Sequence, residues 1–149
     1  MSGPAELTIR LARPDERKQL ENLQRRASLA LGEYNAQLEA EPEAVQLPLQ
    51  QIEQGAVIVA ELNDRTAGFA VVLIDHDGAD LDGLFVERDL WRQGIGTALV
   101  DVAVHEARRQ GLSMTVVANP SARDFYEKCG FTLEGKAQTR FGPALRMSR

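Results

Sequence analysis

Cysteine is almost missing from this chain: Cys129 stands alone. A lone cysteine excludes an internal disulfide framework and fits a reducing compartment. Histidine is nearly as scarce, with His76 in a turn between Asp75 and Asp77 and His105 on a polar helix face. Neither makes a convincing metal site, because two carboxylates and one imidazole in a turn usually form a solvated loop, and no metal is expected. No apolar run approaches the roughly 20 residues that span a bilayer, and the first residues carry no apolar stretch of the signal-peptide kind. A soluble, cytoplasmic protein with no membrane partner is expected. A basic stripe is also lacking: the net charge is −5, which argues against a general nucleic-acid binder. Repeats, low-complexity tracts and interdomain linkers are absent too. What remains, 149 residues with 44% hydrophobic content, suffices for one domain with a substantial core, taken as residues 1–149.

The charges that are present are unevenly spread. Between Arg26 and Arg88 the only cationic residue is Arg65, among many carboxylates that include Asp75, Asp77, Asp80, Asp82 and Glu87. Beyond Val86 the cations gather, among them Arg88, Arg92, Arg123 and Lys128. The first part suits a cationic ligand and the second a polyanion, although most such charges taken singly are solvated surface.

Periodicity supplies a coarse map. Residues 7–12 alternate as a strand. Pro14, Asp15 and Glu16 open a helix whose apolar face is Leu20, Leu23, Ala27 and Leu31, ended by Gly32. Residues 33–54 read as a broken second helix, interrupted by Pro42 and Pro48. Residues 56–62 and 66–74 are β-branched runs joined at Asn63, Asp64 and Arg65 as a hairpin, and a second turn at residues 75–78 leads to a strand over 79–86. A helix over 94–110 follows, with Ile95, Leu99, Val102 and Ala103 on its apolar face and Gly111 past its end. Residues 114–118 form a continuous apolar strand, as for a sheet covered on both sides. Ser121 and Asp124 suggest a capping box for the next helix, and residues 131–136 and 144–148 close the sheet. Cys129 reads as a small buried residue.

The chemistry concentrates between the strand ending at Val86 and the long helix. There Trp91, Arg92, Gln93, Gly94, Ile95, Gly96 and Thr97 read as a phosphate cradle. A helix start leaves backbone N–H groups unpaired and carries partial positive charge, and glycines let a ligand approach the backbone closely. The dinucleotide fingerprint fails, since Leu99 stands where a third glycine is needed, and the P-loop Gly-Lys-Ser/Thr is absent.

The segment resembles motif A of the GNAT superfamily of acyl-CoA-dependent N-acyltransferases, written Gln/Arg-x-x-Gly-x-Gly/Ala. Gly94 and Gly96 match; Trp91 stands at the Gln/Arg position. Residues 118–131, with Asn119, the Phe125-Tyr126 pair and the closing Gly130-Phe131, resemble motif B. The strand over 81–86 and the closing run over 142–147 extend the likeness over most of the chain, leaving residues 31–54 without a counterpart. The resemblance implies an α/β (α+β) fold: a central mixed, mostly antiparallel sheet of about seven strands, flanked by about four helices and splayed at the coenzyme site.

It also implies a function, transfer of acetyl from acetyl-CoA to an amine. An alkyl ammonium with a pKa of about 10.4 must lose a proton before attack, which costs roughly 4.6 kcal/mol at pH 7. The family often uses a carboxylate on the preceding strand as base, and Asp80 stands at the matching position, with Asp82 on the same strand face as the alternative. Tyr126 matches the residue that serves the leaving sulfur. A backbone N–H at Val86 or its neighbours Leu84 and Phe85 would polarise the thioester carbonyl. Asn119 matches a residue that contacts the pantetheine or shapes the gap between strands, though a cap or an extended residue before Pro120 would look the same. Phe125 reads either as a wall of the coenzyme arm or as a core aromatic. Arg88, Arg92, Arg123 and Lys128 are candidate phosphate contacts. The acidic first half favours a cationic acceptor: a polyamine, an aminoglycoside-like amine, a lysine or a peptide N-terminus. A non-catalytic acyl-CoA-binding module is the rival reading, and the resemblance allows a homodimer.

Overall fold

The computed structural model describes residues 6–32, 35–41, 45–140 and 142–149. The strands are β1 (Leu7–Leu11), β2 (Val57–Leu62), β3 (Arg65–Asp75), β4 (Gly78–Val86), β5 (Met114–Ala118), β6 (Thr132–Thr139) and β7 (Gly142–Ser148). The helices are α1 (Arg17–Leu31), α2 (Asn35–Ala40), α3 (Leu49–Glu53), α4 (Ile95–Arg109) and α5 (Arg123–Lys128). All seven strands join one sheet in the order β1-β2-β3-β4-β5-β7-β6. Every neighbouring pair is antiparallel except β4 and β5, which run parallel and are connected through α4. This is the mixed, mostly antiparallel sheet that the sequence led us to expect. A parallel pair needs a crossover, and α4 supplies it.

Local chemistry explains the joints. The β2–β3 hairpin turns on Asn63 (φ 52°) and Asp64 (φ 65°), both left-handed, as a two-residue turn matched to strand twist requires. In the β3–β4 turn, Asp75 Oδ1 accepts the N–H groups of Asp77 (2.7 Å) and Gly78 (3.1 Å). Gly32 ends α1 in the left-handed conformation at φ 74°, and Gly111 (φ 75°) follows α4 in the same way.

Two cores lie on opposite faces of the sheet. On one, α4 buries Ile95, Leu99, Val100, Ala103, Val104 and Ala107 against Ala70, Val72, Leu81, Met114, Val116 and Met147. On the other, α1 buries Leu20, Leu23 and Ala27 against Val57, Val59, Phe69 and Val71. Arg10 of β1 ties the first turn to the sheet, donating to both oxygens of the buried Glu16 (2.9 and 2.7 Å) and to Glu61.

Several local expectations are corrected. Val102 is 39% exposed because it lies off the edge of the buried arc of α4, and Leu31 is 47% exposed because it is the last residue of α1, past the end of the core its face covers. Only alternate residues of β5 are buried, Met114, Val116 and Ala118, since among the described residues no helix of the α1 face reaches this strand. Ser121 does not cap α5. Pro120 opens a short 3-10 turn (Pro120–Ala122) that absorbs it, and Ala122 occupies the N-cap. The broken helix resolves into α2 and α3, with Pro48 preceding α3; Pro42 lies outside the described residues.

Gly68 sets the spacing of β3 and β4 beside the site. A Cβ there would stand 2.6 Å from the Phe85 carbonyl oxygen and 3.2 Å from Val86 Cα, both backbone. Gly68→Ala is therefore expected to cost about 1–3 kcal/mol by overpacking. Urea unfolding checks this; an unchanged midpoint would show that the two strands can separate freely.

Candidate active site

β4 and β5 pair only at Ala79 with Met114, Asp80 with Thr115 and Leu81 with Val116. Beyond these positions β4 continues to Val86 still bonded to β3, and β5 continues to Ala118 bonded to β7. The two parallel strands thus splay. Glu87 N–H donates to Ala67 O of β3's side at 2.9 Å. Because a strand's bonding groups alternate between its two edges, Val86 and Leu84 turn their own N–H and C=O groups the other way, towards the gap. An acyl chain with amide groups could bond there as a missing strand would.

The opening coincides with a β-bulge. Val72 pairs with Leu81 and Val71 with Gly83, so Asp82 is left over without a partner in β3. The extra residue shifts the alternation: Ala79 and Leu81 face α4, and after the bulge Leu84 and Val86 face it as well. Phe85 is sent to the opposite face, where its ring lies 5.2 Å from that of Phe69 in the α1 core. Among the predicted coenzyme residues its side chain is therefore not brought to the gap.

Asp82 stands on an open part of the strand, yet it is flanked closely enough that partial desolvation, aided by the negative charge of Asp80, raises its carboxyl above the ordinary aspartate range. Asp80, nearer the start of β4, accepts from Thr115 Oγ1 at 3.2 Å. It also lines a hollow of about 640 Å³ together with Asp75, Asp77 and Thr115. A larger groove of about 830 Å³ lies elsewhere, between β1–β3 and the second half of α4, lined by Ile9, Ile58, Ile74 and Val102, and contains none of these groups.

After β4 a short 3-10 turn (Arg88–Leu90) leads into the cradle. It is tied down on both sides: Arg26 of α1 grips Glu87 (3.2 and 2.9 Å), and Arg65 of β3 grips Asp89 (3.0 and 3.1 Å). Trp91 donates its indole N–H to Val86 O at 2.8 Å, and the Arg88 guanidinium covers its ring at 4.4 Å. Arg92 is left-handed at φ 68°, a conformation that costs a residue with a side chain. Gly94, at φ 80°, is the N-cap of α4, and no side chain caps the helix. Left-handed residues on either side of Gln93 curve the backbone into a concavity of the anion-binding kind, and the first-turn N–H groups of Ile95, Gly96 and Thr97 point out of the helix start. The side chains of Arg92, Gln93 and Thr97 are exposed around it.

The second glycine works differently from the first. A Cβ on Gly96 would meet Phe125 Cζ at 3.2 Å, so its bare Cα lets α5 pack against the start of α4. Phe125 in turn meets the Tyr126 ring edge-on at 5.0 Å, and Tyr126 meets Phe131 at 5.5 Å. Burial pushes the Tyr126 phenol well up, with the nearby Cys129 adding to the shift, so it keeps its proton across the working pH range. Cys129 is buried, as expected, and its thiol is raised by desolvation. Asn119 starts the turn before α5, its carbonyl accepting from Ala122 N–H at 2.9 Å, but its side chain does not cap that turn. Arg123 is engaged by Glu127 at 2.9 Å, and Lys128 is exposed. Among the described residues, no group of three or more His, Cys, Asp or Glu side chains could hold a metal, and no helix is long and apolar enough to cross a membrane.

The sequence signals Trp91 only as a departure from a motif; its bond to Val86 joins two elements that sequence reading treats separately. The tethers at Glu87 and Asp89 are invisible there, because each partner lies far away in the chain.

Known proteins are similar to this one in sequence and in fold. The chain is 28% identical over 94 residues to an uncharacterized N-acetyltransferase of Methanocaldococcus jannaschii, covering 56% of this chain and 42% of that protein. It is 36% identical over 76 residues to the peptidyl-lysine N-acetyltransferase YjaB of Salmonella typhimurium, covering 50% and 48%. The matches thus span less than half the length of each relative. In fold, the PaiA N-acetyltransferase of Thermoplasma acidophilum, crystallised with coenzyme A, superposes with a TM-score of 0.79 at 18% identity, covering 97% of this chain and 98% of that one. The model of the acetyltransferase (GNAT) family matches residues 18–131, which include the bulged strand, the cradle and α5. With most of its length and both splayed strands, β4 and β5, matched in this way, the chain belongs to the GNAT acetyltransferase family.

Proposed function

We propose that this protein is an acetyl-CoA-dependent N-acetyltransferase acting by direct attack of an amine on the thioester, both substrates being bound together. One observation carries the reading: an uncapped helix start with a left-handed glycine stands immediately beyond the strand edge that β5 leaves open. The two features suit the two halves of coenzyme A, a diphosphate and an amide-bearing arm. The N–H groups of residues 95–97 would hold the diphosphate, with Arg88 and Arg92 adding positive charge. The N–H and C=O of Leu84 and the N–H of Val86 would hold the arm, the Val86 carbonyl being taken by Trp91, and one of these N–H groups would polarise the thioester carbonyl.

Asp82 is the proposed base. It sits in the bulge beside the open edge, and its raised carboxyl is a better match to an ammonium proton than an ordinary aspartate. The amine nitrogen attacks the carbonyl carbon, its proton passes to Asp82 directly or through water, and the C–S bond breaks. Tyr126 would meet the departing thiolate. Its phenol lies far above a thiol's usual pKa of about 8.5, so it acts by donating a hydrogen bond rather than by giving up its proton. Tyr126→Phe is accordingly expected to lower kcat by about 10- to 100-fold and to leave coenzyme affinity nearly unchanged. Parallel losses in both would make Tyr126 a binding group.

The acceptor we favour is a cationic amine. Asp75, Asp77 and Asp80 line one hollow near Asp82, and the Salmonella relative is named for acetylating lysine in peptides. The test is release of free thiol from acetyl-CoA over a panel comprising a polyamine, an aminoglycoside, a lysine peptide and a peptide with a free N-terminus. Turnover with at least one is expected. Binding of acetyl-CoA without turnover for every amine would favour a non-catalytic binding module instead.

A further inference from the structure

We propose that Trp91 is a positioning residue that fixes the distance between the diphosphate cradle and the strand edge holding the acyl arm; this rests on the reading of both elements given above. The peptide unit between Val86 and Glu87 is held at both ends. Its N–H donates to Ala67 O at 2.9 Å and its carbonyl accepts from Trp91 Nε1 at 2.8 Å. In a trans peptide these groups point in opposite directions, so the indole lies on the gap side of β4, at the place where a neighbouring strand would have donated. Trp91 thereby supplies the missing partner of the last strand carbonyl.

The other end of the residue is equally constrained. Its backbone N–H donates to Arg88 O at 3.3 Å, and the next residue, Arg92, is already in the left-handed conformation of the cradle. Arg88 lies over the indole at 4.4 Å and restrains the ring's tilt. The intervening turn is pinned by the Arg26–Glu87 and Arg65–Asp89 pairs. A flat, stiff side chain therefore spans from the cradle to the strand end.

A ligand that bridges two sites gains affinity from their fixed separation, whereas a ligand that occupies one site does not. That difference gives the test. Trp91 is the only tryptophan, so biosynthetic replacement of tryptophan by its benzothienyl analogue removes this one N–H donor and keeps the ring's shape. Affinity for acetyl-CoA should fall about tenfold, while affinity for phosphoadenosine diphosphate, the nucleotide half alone, stays within about threefold. Trp91→Phe should behave in the same way and guards against poor incorporation of the analogue. Equal losses for both ligands would make Trp91 part of the cradle or of the general fold, and no loss for either would dismiss the tie. If the unmodified protein binds neither ligand, the coenzyme reading itself fails, an outcome separate from the other two.

Discussion

Gly94→Val is expected to lower the affinity for coenzyme A by about 100-fold or more, with the overall fold retained. Gly94 holds φ at 80°, and a residue with a branched Cβ is strained there by roughly 1–2 kcal/mol or more. Beyond its immediate chain neighbours, no atom lies within 4 Å of where its Cβ would stand, so the substitution meets no obstacle from the rest of the fold. The damage falls on the orientation of the N–H groups that follow and on the space in front of them. Gly94→Ala separates the two contributions, since it shares most of the backbone strain but projects less into the concavity; its loss should be intermediate. Calorimetric titration with coenzyme A, beside circular dichroism of each variant, checks the series. Undiminished binding by the valine variant would remove the cradle from the account.

Asp82→Asn carries the second large effect, a fall in kcat/KM of about 100-fold or more at neutral pH. A base works only when deprotonated, so wild-type activity should fall as pH drops through the Asp82 pKa, at a pH above that of an ordinary aspartate because desolvation and Asp80 raise it. The asparagine variant should lose that limb and recover part of its rate at high pH, where more amine is already neutral. Asp80→Asn should behave differently. It removes the negative charge that helps to raise Asp82, so the limb should move to lower pH while most of the activity survives. If the two variants exchange behaviours, Asp80 is the base, as its place in the family pattern suggests. Rate profiles with the best acceptor from the amine panel decide between them.

The regular features of this molecule were legible because they depend on neighbours in sequence. The Asn63-Asp64 turn, the left-handed Gly32 and Gly111, the first four strands to within a residue or so, and the helix start at Gly94 all follow from local conformational preference, whereas β6 runs on to Thr139 and β7 begins at Gly142, because pairing with each other extends them. Features that depend on three-dimensional surroundings were not. Val117 is as apolar as its neighbours, yet it is 47% exposed because the helix layer of the α1 face stops short of β5. Ser121 has the right spacing for a cap but was displaced by the turn that Pro120 starts. Gly94 and Gly96 look alike on paper; one provides a backbone angle and the other a seat for Phe125. The bulge at Asp82 gives no local signal, because only the pairing with β3 defines it. The candidate site was thus readable as a set of residues, while the division of work among them required the register.

The unpaired residue in β4 is the one position of this strand that a deletion could remove without disturbing the pairs on either side. Removing Asp82 would leave enough chain to span the sheet and could restore an unbroken ladder with β3. Each residue downstream would keep its partner and its side: Leu84 still opposite Ala70 beneath α4, and Phe85 still opposite Phe69 in the α1 core. One codon lost here would straighten the strand and remove the proposed base while leaving the approach to the cradle in register.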